Sequence, residues 1–106
     1  AWGPYRGDSW DFELRAAAMQ NGVFVVAPNK GGIEKTEDDR PFFGNSVVFN
    51  PMGELIEKGP SSEGPATFFV TLDLNEVYQH GKRYTFFRDR RPELYGSLGD
   101  VYKHLY

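Results

Sequence analysis

The spacing of apolar residues near the start of the chain predicts an amphipathic helix from about residue 9 to residue 20. Four apolar residues recur there at intervals of three or four positions, which places them on one helical face. Asp8 and Ser9 are typical of helix N-caps, whereas Asn21 and Gly22 are typical of a helix stop. The apolar residues are Trp10, Leu14, Ala17 and Ala18.

Short apolar regions downstream predict β-strands. VFVVAP, residues 23–28, is rich in β-branched residues without polar alternation, which favours a central strand covered on both faces. NSVVFN (45–50) and GELIEKG (53–59) predict two strands joined by a tight turn. ATFFVTLDL, residues 66–74, is the clearest strand by composition, because aromatic and β-branched residues fill it.

The segments between these elements complete an α/β pattern. Residues 29–41, NKGGIEKTEDDRP, combine glycines, a charge cluster and a proline, so we expect a long loop. Asn75 is a candidate cap for a short helix that Gly81 weakens, and an extended arm is expected after Tyr84. This order of elements indicates an α/β fold, and since one strong helix covers little of a sheet, we expect part of a larger sandwich.

Composition limits the classes of function. The 106 residues fit one domain, and a formal net charge of −3 gives no overall field toward nucleic acid or an anionic membrane. The chain contains no cysteine, which excludes a disulfide, a thiolate zinc site and a cysteine nucleophile within these residues. No apolar run approaches the roughly 20 residues of a membrane-spanning helix, so we expect a soluble, cytoplasmic protein. The start at Ala1 rather than methionine favours a fragment or a processed product.

A cluster of three arginines lies within FFRDRRPELY at residues 86–95. Asp89 and Glu93 interrupt the cluster and reduce its field, whereas a nucleic-acid surface normally adds lysines and a basic total. Guanidinium groups suit bidentate pairing with carboxylates at an interface, and Pro92 suits an arm laid over a neighbouring surface. We therefore favour a docking arm over an anion-binding or nucleic-acid module. The arginines are Arg88, Arg90 and Arg91.

The titratable residues give little support for a metal site or an acid–base pair. His80 and His104 are far apart, and neither has a second histidine or a carboxylate at ligand spacing. Glu13 belongs to the first turn of a predicted helix and Asp73 to the end of a predicted strand. Acid–base catalysis needs a partner and an environment that spacing does not show. We expect no metal and no cofactor.

Four motifs occur in series along the chain: LRAAAMQNGVFVVAPNKGG, FFGNSVVFNPMGELI, TLDLNEV and FRDRRPELY. Their order resembles the C-terminal half of the nitrilase, or carbon–nitrogen hydrolase, superfamily. Within it the chain is most similar to the branch that includes N-carbamoylputrescine amidase and β-ureidopropionase. The resemblance implies a four-layer α-β-β-α sandwich, to which residues 1–84 contribute the C-terminal portion, while residues 85–106 form an arm that contacts a partner subunit.

The resemblance also implies a reaction. The family hydrolyses amides through a cysteine thioester, with a glutamate as general base and a lysine that helps to stabilise the oxyanion. These three residues lie upstream of the matched region, so no catalytic residue is assigned and the isolated chain is expected to be inactive. The expected substrate of the full protein is a non-peptide amide or N-carbamoyl amine. The alternative is a non-catalytic assembly or regulatory subunit of the same fold.

Several residues match peripheral positions of the family. Trp2, Asn29 and Phe43 are expected to line the substrate pocket, although a buried tryptophan, a turn-forming asparagine and a packing phenylalanine are the structural alternatives. The arginine cluster at Arg88, Arg90 and Arg91 is expected to contact a second subunit. We thus expect a homo-oligomer with a small-molecule substrate, and neither nucleic acid nor membrane as a partner.

Overall fold

A computed structural model describes residues 6–35, 39–59 and 65–96. The elements follow one another as helix, five short strands and helix, with a 3₁₀ turn in the arm. They are α1 Gly7–Asn21, β1 Val25–Ala27, β2 Gly31–Glu34, β3 Arg40–Phe43, β4 Val47–Phe49, β5 Leu55–Lys58, α2 Asn75–Arg83 and the 3₁₀ turn Pro92–Leu94. The α/β fold class predicted from the sequence is confirmed.

Helix α1 begins two residues earlier than predicted. Arg6 occupies the N-cap position and the helix has no side-chain cap, so the prediction that Asp8 and Ser9 cap it is wrong. Both residues lie inside the first turn, where the Asp8 carboxylate complements the positive end of the helix dipole. The Ser9 hydroxyl donates back to the carbonyl of Arg6 at 3.3 Å.

The end of α1 is as predicted. Gly22 adopts the left-handed conformation at φ +63° and its N–H donates to the carbonyl of Ala18. The N–H of Val23 donates to the same carbonyl at 3.1 Å. A residue without a Cβ is favoured at such a C-terminal position because a side chain would crowd the backbone.

The core lies between α1 and one face of an antiparallel sheet with strand order β1-β4-β5. In the register, Val25 pairs with Phe49 and Ala27 with Val47, so these four side chains share the face that packs on the helix. The helix contributes its predicted apolar stripe. Buried core residues are Trp10, Ala18, Ala27, Val47 and Phe49, with Leu14, Val25 and Phe43 packed against them.

Strand β1 is covered on one face only within the described part of the chain. It lies at the edge of its sheet, and Val26, which points away from α1, is 58% exposed. The prediction of a central strand covered on both faces is therefore not met by these residues. The second face of the sheet is covered in part: Val48, opposite Val26, is fully buried, and residues 66–70 line a cavity beside both, but Val26 at the sheet edge stays exposed.

The predicted long loop at residues 29–41 instead contains a β-ribbon. Strands β2 and β3 pair antiparallel with each other, with Gly31 opposite Phe43 and Glu34 opposite Arg40. The glycines and Pro41 suggested a loop because they disfavour regular strands. A two-stranded ribbon tolerates them, since each of its strands has an outer edge that needs no backbone partner.

Strands β4 and β5 form the predicted hairpin, and Asn50 organises its turn. The side-chain Oδ1 of Asn50 accepts from the N–H groups of Met52 and Glu54 at 3.0 and 2.9 Å. Gly53 follows at φ +76° and donates its N–H to the carbonyl of Asn50 at 2.9 Å. Asparagine can replace backbone acceptors in this way, which explains its preference for turns.

Residues 66–74 form no strand, so that prediction is wrong for the described structure. Phe69 is 92% exposed, whereas Phe68 lies against Gly59 and lines a cavity of about 280 Å³ with Val26 and Val48. A strand requires a partner for its backbone groups. The composition of this segment favours β structure, but no described strand pairs with it.

Helix α2 and the arm complete the chain. Leu74 rather than Asn75 occupies the N-cap position of α2, and Asp73 Oδ1 accepts the N–H of Asn75 at 3.0 Å. The helix continues through Gly81 to Arg83. The arm beyond it, through residue 96, is exposed and contains turns rather than β structure.

Candidate functional site

A polar network joins the end of β1 to the start of β4. The N–H of Asn29 donates to Ser46 Oγ at 2.9 Å, and Asn29 Nδ2 donates to the carbonyl of Gly44 at 2.8 Å. The N–H of Gly44 in turn donates to the carbonyl of Lys30 at 3.0 Å. Asn29 thus fixes the loop that leaves β1, which is the position predicted for a substrate-lining residue.

Asn45 lies between the two acceptors of this network. It adopts a left-handed conformation at φ +56°, which asparagine tolerates better than most residues. Its carbonyl accepts the indole N–H of Trp10 at 2.8 Å, while its side-chain Oδ1 is buried without a hydrogen-bond donor. An unsatisfied buried acceptor is costly, so this amide marks a place where a further donor would stabilise the site.

Phe43 makes the packing contact expected of the structural alternative, and its predicted pocket role stays a prediction. Its ring packs edge-to-face on Trp10, with centroids 5.8 Å apart and planes at 75°. This contact ties the root of the ribbon to α1 and to the core. Trp2 lies outside the described residues, so its predicted pocket role stays a prediction.

Sequence reasoning overlooked Trp10, Asn45 and Ser46 as site residues. Trp10 was assigned to the helix stripe, and its indole N–H reaches Asn45 across 35 positions of the sequence. Ser46 Oγ accepts from the N–H of Asn29 and lies 3.4 Å from the Asn29 carbonyl. The only sequence signal was the polar Gly-Asn-Ser run directly before an apolar strand.

Lys30 belongs to the ribbon. Its ammonium pairs with the Glu34 carboxylate at 2.7 Å and lies 4.6 Å from the centre of the Phe42 ring. Both ion-pair side chains are about two-fifths exposed, so solvent weakens the pair. The contacts direct Lys30 along one face of the ribbon.

A second polar centre connects the β4–β5 turn to α2. Asn50, which is 7% exposed, donates through Nδ2 to Glu54 Oε2 at 2.8 Å and to Glu76 Oε2 at 3.0 Å. One amide group thereby holds two carboxylates, and all its polar atoms have partners. The centre fastens α2 to the sheet.

His80 of α2 is buried against Gly22 at the C-terminal end of α1. It is 3% exposed, its Nδ1 lies against Gly22, and its Nε2 has no hydrogen-bond partner. The ring contacts Tyr84 at 5.0 Å between centroids and Phe86 at 6.3 Å. These contacts are typical of a packed histidine, and within the described residues no group of three or more His, Asp or Glu side chains gathers as a metal site.

The arginines of the arm contact the arm itself. Arg88 Nε donates to Asp89 Oδ1 at 2.8 Å, and Arg91 pairs with Glu93. The hydrogen bond that Arg88 donates, followed by the one that Thr85 donates, lowers the pKa of Asp89, and the same carboxylate raises the pKa of Arg88. Arg90 donates to the carbonyl of Phe87 at 3.2 Å and stacks on its ring.

The described residues of the candidate site contain no complete reacting group. A hydrolase that forms a covalent intermediate needs a nucleophile and a base within hydrogen-bond reach. Within the described residues, the hydrogen bonds of Ser46 Oγ are with the backbone N–H and carbonyl of Asn29. The hydroxyl therefore has no neighbouring base in this network. In these same residues no helix is both long and apolar enough to cross a membrane.

Comparison with known proteins identifies the class. The model of the carbon–nitrogen hydrolase family matches residues 4–82, which is most of the chain and includes the network at β1. The chain therefore belongs to the carbon–nitrogen hydrolase family. This confirms the superfamily inferred from the four motifs.

The relatives are hydrolases of more than one kind. The chain is 36% identical over 100 residues to deaminated glutathione amidase of Bos taurus, covering 93% of this chain and 29% of the relative. It is 32% identical over 96 residues to N-carbamoylputrescine amidase of Oryza sativa, covering 86% and 32%. The first similarity is the stronger, so the branch favoured from the motifs is one of several that match.

A solved structure supports the fold. The chain superposes on the carbon–nitrogen hydrolase from Helicobacter pylori with a TM-score of 0.76 and 27% identity, covering 89% of this chain and 33% of that one. The chain thus spans about a third of the length of the proteins that it matches.

Proposed function

We propose that the intact protein is an amidase that hydrolyses a non-peptide amide or an N-carbamoyl amine. The observation that carries the proposal is the family match over residues 4–82, together with relatives named as amidases. A thiolate would attack the substrate carbonyl, the amine would leave with a proton, and water would then hydrolyse the thioester. Residues 1–106 contain no cysteine, so the groups for these steps would come from elsewhere in the intact protein.

The network at the end of β1 would supply one wall of the substrate pocket. Asn29 is held by hydrogen bonds to Gly44 and Ser46, and the buried Asn45 Oδ1 could accept a hydrogen bond from a substrate. Polar groups in fixed positions would orient the substrate amide, and a misplacement of about 1 Å can lower the rate about a hundredfold. The proposal assigns Asn29 a positioning role through the loop that it fixes.

The test is a substrate panel with the intact protein. Deaminated glutathione and N-carbamoylputrescine represent the two chemistries named for the relatives, and release of product is followed for each. Asn29→Ala is expected to lower kcat/KM at least about tenfold by freeing the loop, whereas Asn75→Ala, at the exposed first residue of α2, should leave it unchanged. Absence of turnover with every amide in the panel would refute the function.

The arm would contribute to assembly. Arg88 and Arg91 are each engaged by a carboxylate of the arm, while Arg90 has no carboxylate partner in the described part of the chain. We assign Arg90 to a carboxylate of a second subunit, since a guanidinium pairs best in bidentate geometry. Arg90→Ala should shift the mass measured by light scattering toward the monomer, whereas Arg88→Ala should shift it less.

Unchanged mass in Arg90→Ala would contradict that assignment. Chromatography in dilute buffer and in high salt would separate an ionic contact from an apolar one, because salt screens exposed charges. The intact protein is also proposed to be cytoplasmic, which fractionation of cells would test.

A further inference from the structure

The two edges of the β1-β4-β5 sheet differ in chemistry. Val26 of β1 pairs with Val48 of β4, which in turn pairs with Glu57 of β5. Residues that lie opposite one another on neighbouring strands point to the same face of a sheet, so these three side chains form one row on the face away from α1. The row is apolar at its β1 end and charged at its β5 end.

Strand β5 has the features that protect a free edge, whereas β1 has neither of them. Natural proteins guard the unpaired backbone groups of an edge strand with charged side chains and with β-bulges. Strand β5 contains Glu57 and Lys58, and its pairing with β4 shifts register between Val48 and Phe49. Strand β1, Val25–Ala27, is apolar throughout and pairs with β4 in continuous register. Its composition is therefore typical of a strand with a neighbour on each side.

The cover on the second face of the sheet ends before it reaches β1. Residues 66–70 line a cavity with Val26 and Val48. Val48 is fully buried, but Val26 is more than half exposed, and no described strand pairs with the outer edge of β1. Both the Val26 side chain and the backbone on its outer side thus need contacts that the described residues do not supply.

Helix α1 indicates which part of the polypeptide supplies these contacts. It packs on the other face of β1 and β4 and joins β1 directly through residues 22–24. A helix that enters a strand by such a short connection is typical of a β-α-β unit, in which the strand before the helix runs parallel to the strand after it. Since β4 occupies one side of β1, only the outer edge of β1 is open to such a strand.

We propose that a strand of the intact polypeptide from outside residues 1–106 pairs in parallel with the outer edge of β1 and covers Val26. The chain spans about a third of the length of the proteins that it matches, which leaves ample polypeptide for this strand. The side chain beside Val26 should be apolar, because a charged group would be buried there without a partner. This pairing is independent of the proposed amidase activity.

Hydrogen exchange of the intact protein tests the pairing without any substitution. Successive backbone groups of a strand point alternately to its two sides, so an open edge would leave at least one amide of residues 25–27 in rapid exchange. The proposed strand should slow every amide of β1 to within about tenfold of those in β4, which has a neighbour on each side. A β1 amide that exchanges as fast as an unprotected peptide would overturn the proposal.

A second copy of the chain is the competing occupant of this edge. Pairing between copies weakens on dilution, whereas pairing within one polypeptide does not depend on concentration. Exchange is therefore measured in concentrated protein and in protein diluted until light scattering gives the mass of the monomer. Slow exchange of β1 in both samples supports the proposal. Rapid exchange of β1 in the monomer would assign the edge to a second copy and refute it.

Val26→Lys tests the side-chain contact, and Glu57→Lys is its matched control at the other end of the same row. Lysine at position 26 would bury a charge, so the melting temperature of the intact protein should fall by at least about 5 °C. Glu57 is exposed on β5, and Glu57→Lys should change the melting temperature by less than about 2 °C.

Val26→Thr is the milder variant if the lysine prevents folding. Threonine suits a strand as well as valine does, but its hydroxyl would be buried beside the added strand and should lower the melting temperature by at least about 2 °C. A melting temperature equal to that of the wild type would show that position 26 faces water in the intact protein. That result would contradict the pairing whether or not the protein hydrolyses an amide.

Discussion

At the scale of single residues, a few side chains join elements that are distant in sequence. Asn50 connects the β4–β5 turn to Glu76 of α2, and Asn29 connects the end of β1 to the start of β4. Each is an amide that both donates and accepts, so it can satisfy several backbone and carboxylate groups at once. Loss of such a residue leaves several buried groups without partners.

Asn50→Asp should lower the free energy of unfolding by about 2 to 3 kcal/mol. The change removes the donor to Glu54 and Glu76 and places a third carboxylate beside them, which adds repulsion to unsatisfied bonds. Urea unfolding followed by circular dichroism measures the loss. Asn75→Asp, at the exposed start of α2, is the control and should change stability by less than about 0.5 kcal/mol.

Gly22→Ala should destabilise the contact between α1 and α2 by at least about 2 kcal/mol. The position has φ +63°, and a Cβ would lie 2.5 Å from His80 Nδ1, so backbone strain and a clash with a buried ring add. Gly81→Ala is the matched glycine control and should stabilise α2 by about 0.5 to 1 kcal/mol. Equal melting temperatures for the two variants would contradict the packing assigned to His80.

At the scale of elements, α1 and the sheet form the core, and Trp10 links both to the candidate site. Its ring is 4% exposed, packs on Phe43 and donates to the carbonyl of Asn45. The indole therefore fixes the relative positions of the helix, the root of the ribbon and the loop before β4. Helix packing here also sets the geometry of the site.

Trp10→Phe should cost about 1 to 3 kcal/mol of stability, since it removes one hydrogen bond and part of a buried ring. In the intact protein it should also reduce activity, because Asn45 would lose its anchor. Thermal unfolding and kcat/KM measure the two effects. Phe12→Leu, on the exposed side of α1 at 62% exposure, should alter neither, and an equal loss in both variants would argue against a specific role for the indole.

The turn at residues 85–89 should weaken in acid. Arg88 and Thr85 lower the pKa of Asp89, so the stability that its carboxylate adds is fully present above the ordinary carboxyl pKa of about 3.9 and is lost as the pH falls through the lowered value. Carbon NMR of the Asp89 carboxyl gives the titration. Arg88→Gln should move the pKa of Asp89 back toward its ordinary value, whereas Arg90→Gln should not.

At the scale of the whole molecule, the chain matches about a third of a larger fold in a related structure. The chain spans about a third of its relatives, and Val26 and Phe69 remain exposed although their sequences favour burial. The substrate, the reacting groups and the assembly of the intact protein are accordingly proposals. The family and the α/β fold are established.

Residues 1–106 produced alone should hydrolyse neither deaminated glutathione nor N-carbamoylputrescine, because the sequence contains no cysteine to form a thioester. The intact protein should hydrolyse at least one of them. Product release measured for both preparations at equal molar concentration decides the point. Turnover by residues 1–106 alone would show that the reaction uses a different nucleophile.

The sequence by itself determined α1, the β4–β5 hairpin, the presence of α2 and membership of the hydrolase family. These features depend on local patterns: apolar spacing at the helical period, turn residues such as Asn50 and Gly53, and motifs in a fixed order. The place of Asn29 directly after an apolar strand was also visible in the sequence, whereas its role in lining a substrate pocket stays a prediction. Local interactions suffice for each of these inferences.

Only the tertiary structure decided the ribbon, the unpaired state of residues 66–74 and the contacts of Trp10 and Asn45. A β-strand needs a hydrogen-bonded partner, which composition does not reveal. The sequence therefore did not show that residues 31–34 pair with residues 40–43, or that residues 66–74 pair with no described strand. The bond from Trp10 to Asn45 spans 35 positions. Such contacts depend on how elements pack, which no short-range pattern encodes.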